Sequence, residues 1–304
     1  VSESGPVDLG AEYEALRRGV GAHRLARDVL SVSGPDAAAY LQGQCSQDID
    51  ALAVGQALDS LLLAPEGKVV AFLRVLRIDE QAFALDVDAG FGERVQTRLT
   101  RFLLRSKVTV EPLDWACVAL RGDPEQLRDA TGYHVVAVEW GSWRGVDLLG
   151  PLDAATVPAN AQWCGDDAWE ACRIESGIPL MGRELDEGTI PAESGLVERS
   201  VSFTKGCYTG QELVARIDSR GNRVARRLCG LIVDGATEPT NLEGAELTTG
   251  EGRAVGWVTS ATHCPGLAAV GALGYVHRSV EIGETVRIGD TPESRATLRS
   301  LPLV

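Results

Sequence analysis

Between Arg173 and Arg227 this 304-residue chain gathers most of its candidate chemistry. The centre of that stretch, Lys205-Gly206-Cys207-Tyr208-Thr209-Gly210-Gln211-Glu212, sets a cation, a thiol, a phenol, an amide and a carboxylate among two glycines. Glycine allows a sharp backbone turn or a close approach that a Cβ would block. The following Glu212–Ile217 reads as a short helix, which places Cys207 just ahead of a helix N-terminus. Lys205 and the amide dipoles there both favour a thiolate. Arg216, Arg220, Arg223, Arg226 and Arg227 then put five guanidiniums into twelve residues. Such a cluster suits a multiply charged carboxylate or phosphate. The plainer alternatives are a buried small thiol and a solvated arginine face.

Composition bounds the rest. A formal net charge of -14 argues against a broad nucleic-acid footprint, which needs a basic face. Seven cysteines form no CxxC pair, and the four histidines show no HxxxH spacing, so neither a disulfide framework nor a preformed zinc site is expected. No apolar run is long enough to span a bilayer, and no signal pattern opens the sequence given. A cytoplasmic protein without membrane association is the expectation. GxGxxG and GxxxxGK[ST] are absent, which removes support for dinucleotide and P-loop readings.

Taken in order, residues 8–19 read as a helix capped by Asp8 and ended by glycine. A strand over 29–33 is broken by Gly34-Pro35-Asp36, which opens a helix. Gln44, Gln47 and Asp48 form a second candidate site lining, although turn roles explain them as well. Strands follow at 57–63, 69–78 and 81–87, the first two joined by a hairpin turn at Pro65–Lys68. Residues 90–106 predict a helix with Val95, Leu99, Phe102 and Leu103 on one face. A strand at 108–110 is succeeded by strands at 115–121, 134–140 and 144–149, with a short helix at 124–130. Two such strand–helix–strand groups look ferredoxin-like. Trp115, Trp140 and Trp143 read as fillers of core and edge. A helix over 169–176 is stopped by Gly177. Past Arg227, short apolar strands at 228–233, 254–260, 267–276 and 285–288 alternate with glycines, as in a small antiparallel barrel.

Four blocks carry a resemblance: LSVSGPDAAAYLQGQCSQDI at 30–49, LLLAPEGKVVAFLRV at 61–75, RIESGIPLMGREL at 173–185 and KGCYTGQELVARIDSRGNRVARRLCGL at 205–231. The chain resembles the YgfZ/GcvT superfamily, in its YgfZ branch. That likeness implies an α+β, three-domain GcvT-like ring: a split α/β N-terminal domain, a ferredoxin-like middle domain and a small C-terminal antiparallel β-barrel. The expected boundaries are 1–56 plus 150–226, then 57–149, then 227–304. It also implies a folate-binding accessory protein, with tetrahydrofolate as ligand in a polyglutamylated form. The implied role is support for iron–sulfur enzyme synthesis or repair, with iron–sulfur assembly proteins or client enzymes as partners. Any tRNA link is indirect, without direct nucleic-acid binding.

On this resemblance Cys207 is the functional thiol and Lys205 its companion. Glu175 matches the acidic residue that hydrogen-bonds the pterin ring, a carboxylate being what the pterin's N–H donors require. Tyr208 and Gln211 of the same motif join the folate contacts, and Arg216, Arg223 and Arg226 are candidates for the glutamate tail. One departure stands out. T-proteins carry an Asp pair after the glycine turn of the second block, one of them catalytically important, where this chain has Lys68-Val69-Val70-Ala71-Phe72. Strict aminomethyl transfer therefore lacks its agent for stabilising a developing cation. The competing readings are a folate-dependent one-carbon transferase and a non-catalytic scaffold.

Overall fold

The structure is a computed structural model and describes residues 8–304 except 124, 126, 128–133, 152–156, 236–237 and 290–293. The expected helix at 124–130 lies outside the described residues. Two compact units emerge: residues 1–25, 117–178 and 228–304 form one, and residues 26–116 and 179–227 the other.

In chain order the first unit contributes α1 (Leu9–Arg18) and β1 (Val20–Leu25). The second supplies β2 (Arg27–Ser33), α2 (Ala37–Gln44), β3 (Ala57–Leu63), β4 (Val69–Asp79), β5 (Ala82–Asp88), α3 (Gly92–Thr100) and β6 (Thr109–Leu113). The chain returns for β7 (Ala116–Gly122), β8 (His134–Trp140), β9 (Trp143–Gly150), β10 (Gln162–Trp163) and α4 (Asp166–Ser176). It then passes through α5 (Val197–Ser200) and α6 (Gln211–Asp218) of the second unit. It ends in β11 (Arg226–Val233), β12 (Glu246–Thr248), β13 (Ala254–Cys264), β14 (Ala269–His277), β15 (Thr285–Ile288) and β16 (Arg295–Arg299).

In the first unit, β11-β14-β13-β12-β15-β16 close a barrel, and a second sheet runs β10-β1-β7-β9-β8. The barrel fills with Leu231, Leu247, Val258, Ala272, Val286, Ala296 and Leu298. A separate core joins α1 and α4 through Tyr13, Leu16, Trp143, Ala168, Cys172 and Ile174. Trp143 is 2% exposed and belongs to that core rather than to a cofactor site. The Arg121 guanidinium lies 5.4 Å from the Trp143 ring and 5.3 Å from Trp169, which His23 stacks on in turn at 4.6 Å. Cations over aromatic faces are stabilised by the ring quadrupole.

The second unit is one antiparallel sheet in the order β3-β4-β5-β2-β6. Side chains alternate across a sheet, and here both faces are specified. Leu30, Leu85 and Val75 are cross-strand partners on one face, and α2 and α3 pack on the sheet with Leu41, Val95 and Leu99 buried. The other face carries charges in register. Asp59 opposes Arg74, Arg74 opposes Asp86, and Arg27 opposes Asp88. Arg27 pairs with both Asp86 and Asp88, Arg74 with Asp86, and Asp59 with Arg199 at 2.7 Å. Pairing across the sheet is what allows Asp86 to be 1% exposed.

The stretch 57–149 contributes strands to both units: β3–β6 join β2, whereas β7–β9 join the sheet of β1. The helix expected over 90–106 stops at Thr100, so Val95 and Leu99 line its buried face while Phe102 and Leu103 fall beyond it. Val20–Leu25, Glu246–Thr248 and Arg295–Arg299 are strands that local pattern missed. Among the described residues no helix is long and apolar enough to cross a membrane.

Asp8 caps α1 as its position suggested, its Oδ1 accepting from the N–H groups of Gly10 (3.0 Å) and Ala11 (3.3 Å). Asp8→Ala is expected to cost about 1 kcal/mol, read from denaturant melts.

Candidate functional site

The Lys205–Gln211 segment is an arch with two feet on one helix end. The last carbonyls of a helix have no intrahelical donor. Lys205 Nζ donates to the carbonyls of Gln42 (2.7 Å), Cys45 (2.7 Å) and Gln47 (2.8 Å) at and just beyond the C-terminus of α2. The Thr209 N–H takes the Gly43 carbonyl at 3.1 Å. An ammonium at a helix C-terminus also meets the negative end of the dipole. All three donors of Lys205 are spent on these carbonyls, so none reaches the thiol. Burial holds the Lys205 ammonium below its ordinary pKa, against the opposing pull of Cys45, Asp48 and Asp50.

Between the feet stands Cys207. It is exposed, whereas the other six cysteines are buried. Burial pushes the Cys45 thiol up to about 11 and those of Cys164, Cys172 and Cys264 to about 12. Those four stay protonated and shielded, and Cys207 is the thiol that solvent reaches.

Tyr208 turns inward beneath the arch, with Lys205 Nζ 5.3 Å from its ring centroid, and burial pushes its phenol up to about 12. Gln211 Oε1 accepts from the Tyr208 N–H at 3.2 Å and ties the segment to the start of α6. Gly210 has φ +83, and a Cβ there would meet the Ala64 carbonyl oxygen at 2.4 Å. It keys into the hairpin turn at Gly67, whose own Cβ would meet Leu213 at 2.5 Å. Gly206 differs: nothing lies within 4 Å of its Cβ position.

The remaining candidates scatter. Arg226 Nε pairs with Glu193, 6% exposed, at 3.1 Å. Arg216 and Arg223 are exposed. Gln44, Gln47 and Asp48 hold the turn after α2: Arg98 donates to Gln44 Oε1 (2.9 Å), Gln47 Nε2 to the Arg199 carbonyl (3.2 Å), and Gln42 Nε2 to Asp48 Oδ1 (2.9 Å). The turn reading of those amides is the one realised.

Glu175 belongs to the first unit, and Lys205, Cys207, Tyr208, Gln211, Arg216, Arg223 and Arg226 to the second. Glu175 is 0% exposed. Its Oε2 accepts from Tyr13 OH (2.7 Å) and Arg17 Nη2 (2.5 Å), and its Oε1 from the Gly266 N–H (3.1 Å). Burial and the Glu175 hydrogen bond raise the Tyr13 phenol above its usual range. Burial works against the Arg17 charge, yet Cys172, Tyr13 and Glu175 together hold its guanidinium above the ordinary value. Arg173 of the same block is 1% exposed and grips Glu170 through two nitrogens at 2.7 Å, with a third contact to Ser260 Oγ at 2.7 Å. The RIESG block therefore braces α4 against α1 and the barrel. Tyr13 and Arg17 were not flagged from sequence, because nothing in α1's own pattern shows a partner 158 residues away.

A closed barrel, two antiparallel-rich sheets and a clamped, exposed thiol define a protein of the glycine-cleavage T-protein fold class with a feature of its own. Residues 7–128 match the GCVT N-terminal domain and 226–304 the glycine cleavage T-protein C-terminal barrel domain. The crystal structure of aminomethyltransferase T from Bartonella henselae superposes with a TM-score of 0.82 over 99% of this chain and 91% of that one, at 22% identity. A protein from Enterobacter sp. named "tRNA-modifying protein YgfZ" is 30% identical, over 73% of this chain and 74% of its own. A mitochondrial "iron-sulfur cluster assembly factor IBA57 homolog" from Neurospora crassa is 28% identical over 72% of this chain and 55% of its own. An uncharacterized Haemophilus influenzae protein is 31% identical over 64% of this chain, which spans 66% of that relative, just under two thirds. The chain belongs to the YgfZ/GcvT superfamily.

Two outcomes test the site. A colorimetric disulfide reagent is expected to titrate one thiol per native chain, and none in Cys207→Ser. Gly210→Ala is expected to cost at least about 1–2 kcal/mol, from the left-handed backbone alone, with Gly206→Ala near neutral in the same denaturant melts.

Proposed function

We propose that this chain is a folate-binding accessory protein for the synthesis or repair of iron–sulfur proteins, with Cys207 as its working thiol. The observation that carries the reading is the presentation of Cys207, exposed on an arch fixed at both feet while every other thiol is buried. An accessible thiolate ligates iron or exchanges with a disulfide. Cys207 supplies one such ligand, and a cluster held there takes the others from a partner. The names borne by the Enterobacter and Neurospora relatives support a place in iron–sulfur and tRNA-modification biology. The net charge of -14 agrees with a tRNA link that runs through partner enzymes rather than direct binding.

The folate part rests on the T-protein fold, since most expected contacts are otherwise engaged. Glu175 is saturated by internal donors, Gln211 caps its own segment, Tyr208 is buried and Arg226 holds Glu193. As arranged, Glu175, Gln211, Tyr208 and Arg226 do not fit a pterin or a glutamate tail. Arg216 and Arg223 remain open to a tail. The transferase reading has the fold in its favour. Against it, Ala71 (0% exposed) and Phe72 lie inside β4 where T-proteins carry their Asp pair.

Calorimetric titration with tetrahydrofolate is the test. Saturable binding to the wild type is expected, with a triglutamyl tail adding no more than about fivefold per exposed arginine. Glu175→Gln is expected to lower the melting temperature yet leave affinity within about twofold; a loss of about tenfold, some 1.4 kcal/mol, would put Glu175 on the ligand. No heat with the wild type removes the folate reading and leaves the thiol to act as a scaffold's contact point.

A further inference from the structure

We propose that the outward face of α6 and the turn after it form a docking surface for an acidic protein segment, laid so that its far end reaches Cys207. The inference shares Cys207, Arg216 and Arg223 with the reading above; a folate glutamate tail on the same arginines is the competing occupant that the experiment below separates from a protein segment.

The helix is two-sided. Val214 is buried and Leu213 and Ile217 partly so, whereas Glu212, Ala215, Arg216, Asp218, Ser219 and Arg220 are exposed, as is Arg223 in the following turn. Among the described residues, none of the Arg216, Arg220 and Arg223 guanidiniums has a hydrogen-bond or ion-pair partner. The plain alternative is that they complement the helix C-terminus. That end is already satisfied. The Ser219 N–H takes the Ala215 carbonyl, Ser219 Oγ that of Arg216 (3.0 Å), the Asn222 N–H that of Ile217 (3.0 Å), and the Gly221 N–H that of Asp218 (2.8 Å).

Charge names the partner. Between Arg199 and Arg227 seven basic residues face two acidic ones, inside a chain of net charge -14. Arg199, Lys205 and Arg226 are engaged by Asp59, by carbonyls and by Glu193. Arg227 has contacts of its own. What remains is Arg216, Arg220 and Arg223 beside the exposed carboxylates Glu212 and Asp218, three positive charges against two negative, a small island that is positive inside a chain of net charge -14. A long polyanion such as RNA would bring further charge against the acidic remainder, whereas a short acidic segment meets only the island. Phe203, 51% exposed and two residues before Lys205, offers an aromatic anchor at the thiol end. Arginine and aromatic side chains are the ones that dominate protein interfaces. Eight helical residues span roughly 12 Å, which about four to six extended residues cover.

The probe is a synthetic hexapeptide of alternating glutamate and leucine with an N-terminal cysteine, supplied as its mixed disulfide with thionitrobenzoate. Cys207 thiolate attacks the peptide sulfur, the peptide–thionitrobenzoate S–S bond breaks, and coloured thionitrobenzoate leaves. In low salt the acidic peptide is expected to load on the order of tenfold faster than a glutamine–leucine peptide, with the difference collapsing in high salt. R216E/R220E/R223E should abolish the difference while keeping the wild-type melting curve and its rate with a small uncharged disulfide. Should the triple variant melt early, R216Q/R220Q/R223Q serves instead. Equal rates for the two peptides, or an advantage that survives the triple variant, would overturn the proposal. So would suppression by free triglutamate or by an RNA oligonucleotide at a lower concentration than by the unactivated acidic peptide, which would hand the surface to that ligand.

Discussion

The Lys205 ammonium and the end of α2 satisfy one another, and the geometry of the candidate site follows from that exchange. A helix terminus buried without donors is costly, as is an ammonium buried without acceptors. Three carbonyls within 2.8 Å of one nitrogen remove both costs together. Thr209 takes the remaining Gly43 carbonyl. With both sides of the arch occupied, Cys207 is left at its crown. The motif's residue types then make sense one by one: a three-donor cation, a backbone N–H, a glycine able to lie against Gly67, and a thiol that contributes nothing to the clamp.

Glu175 and Arg173 show the opposite use of charge. Both are all but sealed from solvent, and both have their partners within the first unit. A carboxylate that accepts from a phenol, a guanidinium and a backbone N–H is close to the limit of what its lone pairs support. The block that reads as a recognition motif is, in this unit, a junction between two helices and a barrel. A buried acid and an exposed thiol are thus set apart by their surroundings, not by residue type.

Much of the architecture was legible because it rests on local physics. Asp8 as a cap, the 57–63 strand and the Pro65–Lys68 turn all follow from neighbours in sequence, and the structure has each of them. β16 was not, since Arg295–Arg299 shows only Ala296 and Leu298 to the core and gains its identity from β11 and β15. The assignment of strands to sheets was hidden for the same reason: β2 and β1 are two residues apart yet pair with different partners. At the site, the thiol and its glycines were visible. The destination of Lys205 was not, because its acceptors are backbone carbonyls, which every residue possesses and no sequence marks.

The clamp also sets an order of events during synthesis. Lys205 is separated from its three acceptors by 158 to 163 residues. A chain made from its N-terminus at about 5–20 residues per second carries the bare end of α2 for roughly 8–30 seconds before the lysine emerges. Closing so long a loop costs little more entropy than closing a shorter one, but contacts of this separation form slowly. Until then water alone serves those carbonyls. Cys207 is accordingly among the last parts of its unit to take shape, so a nascent chain shows no finished arch until nearly the whole of that unit has been translated.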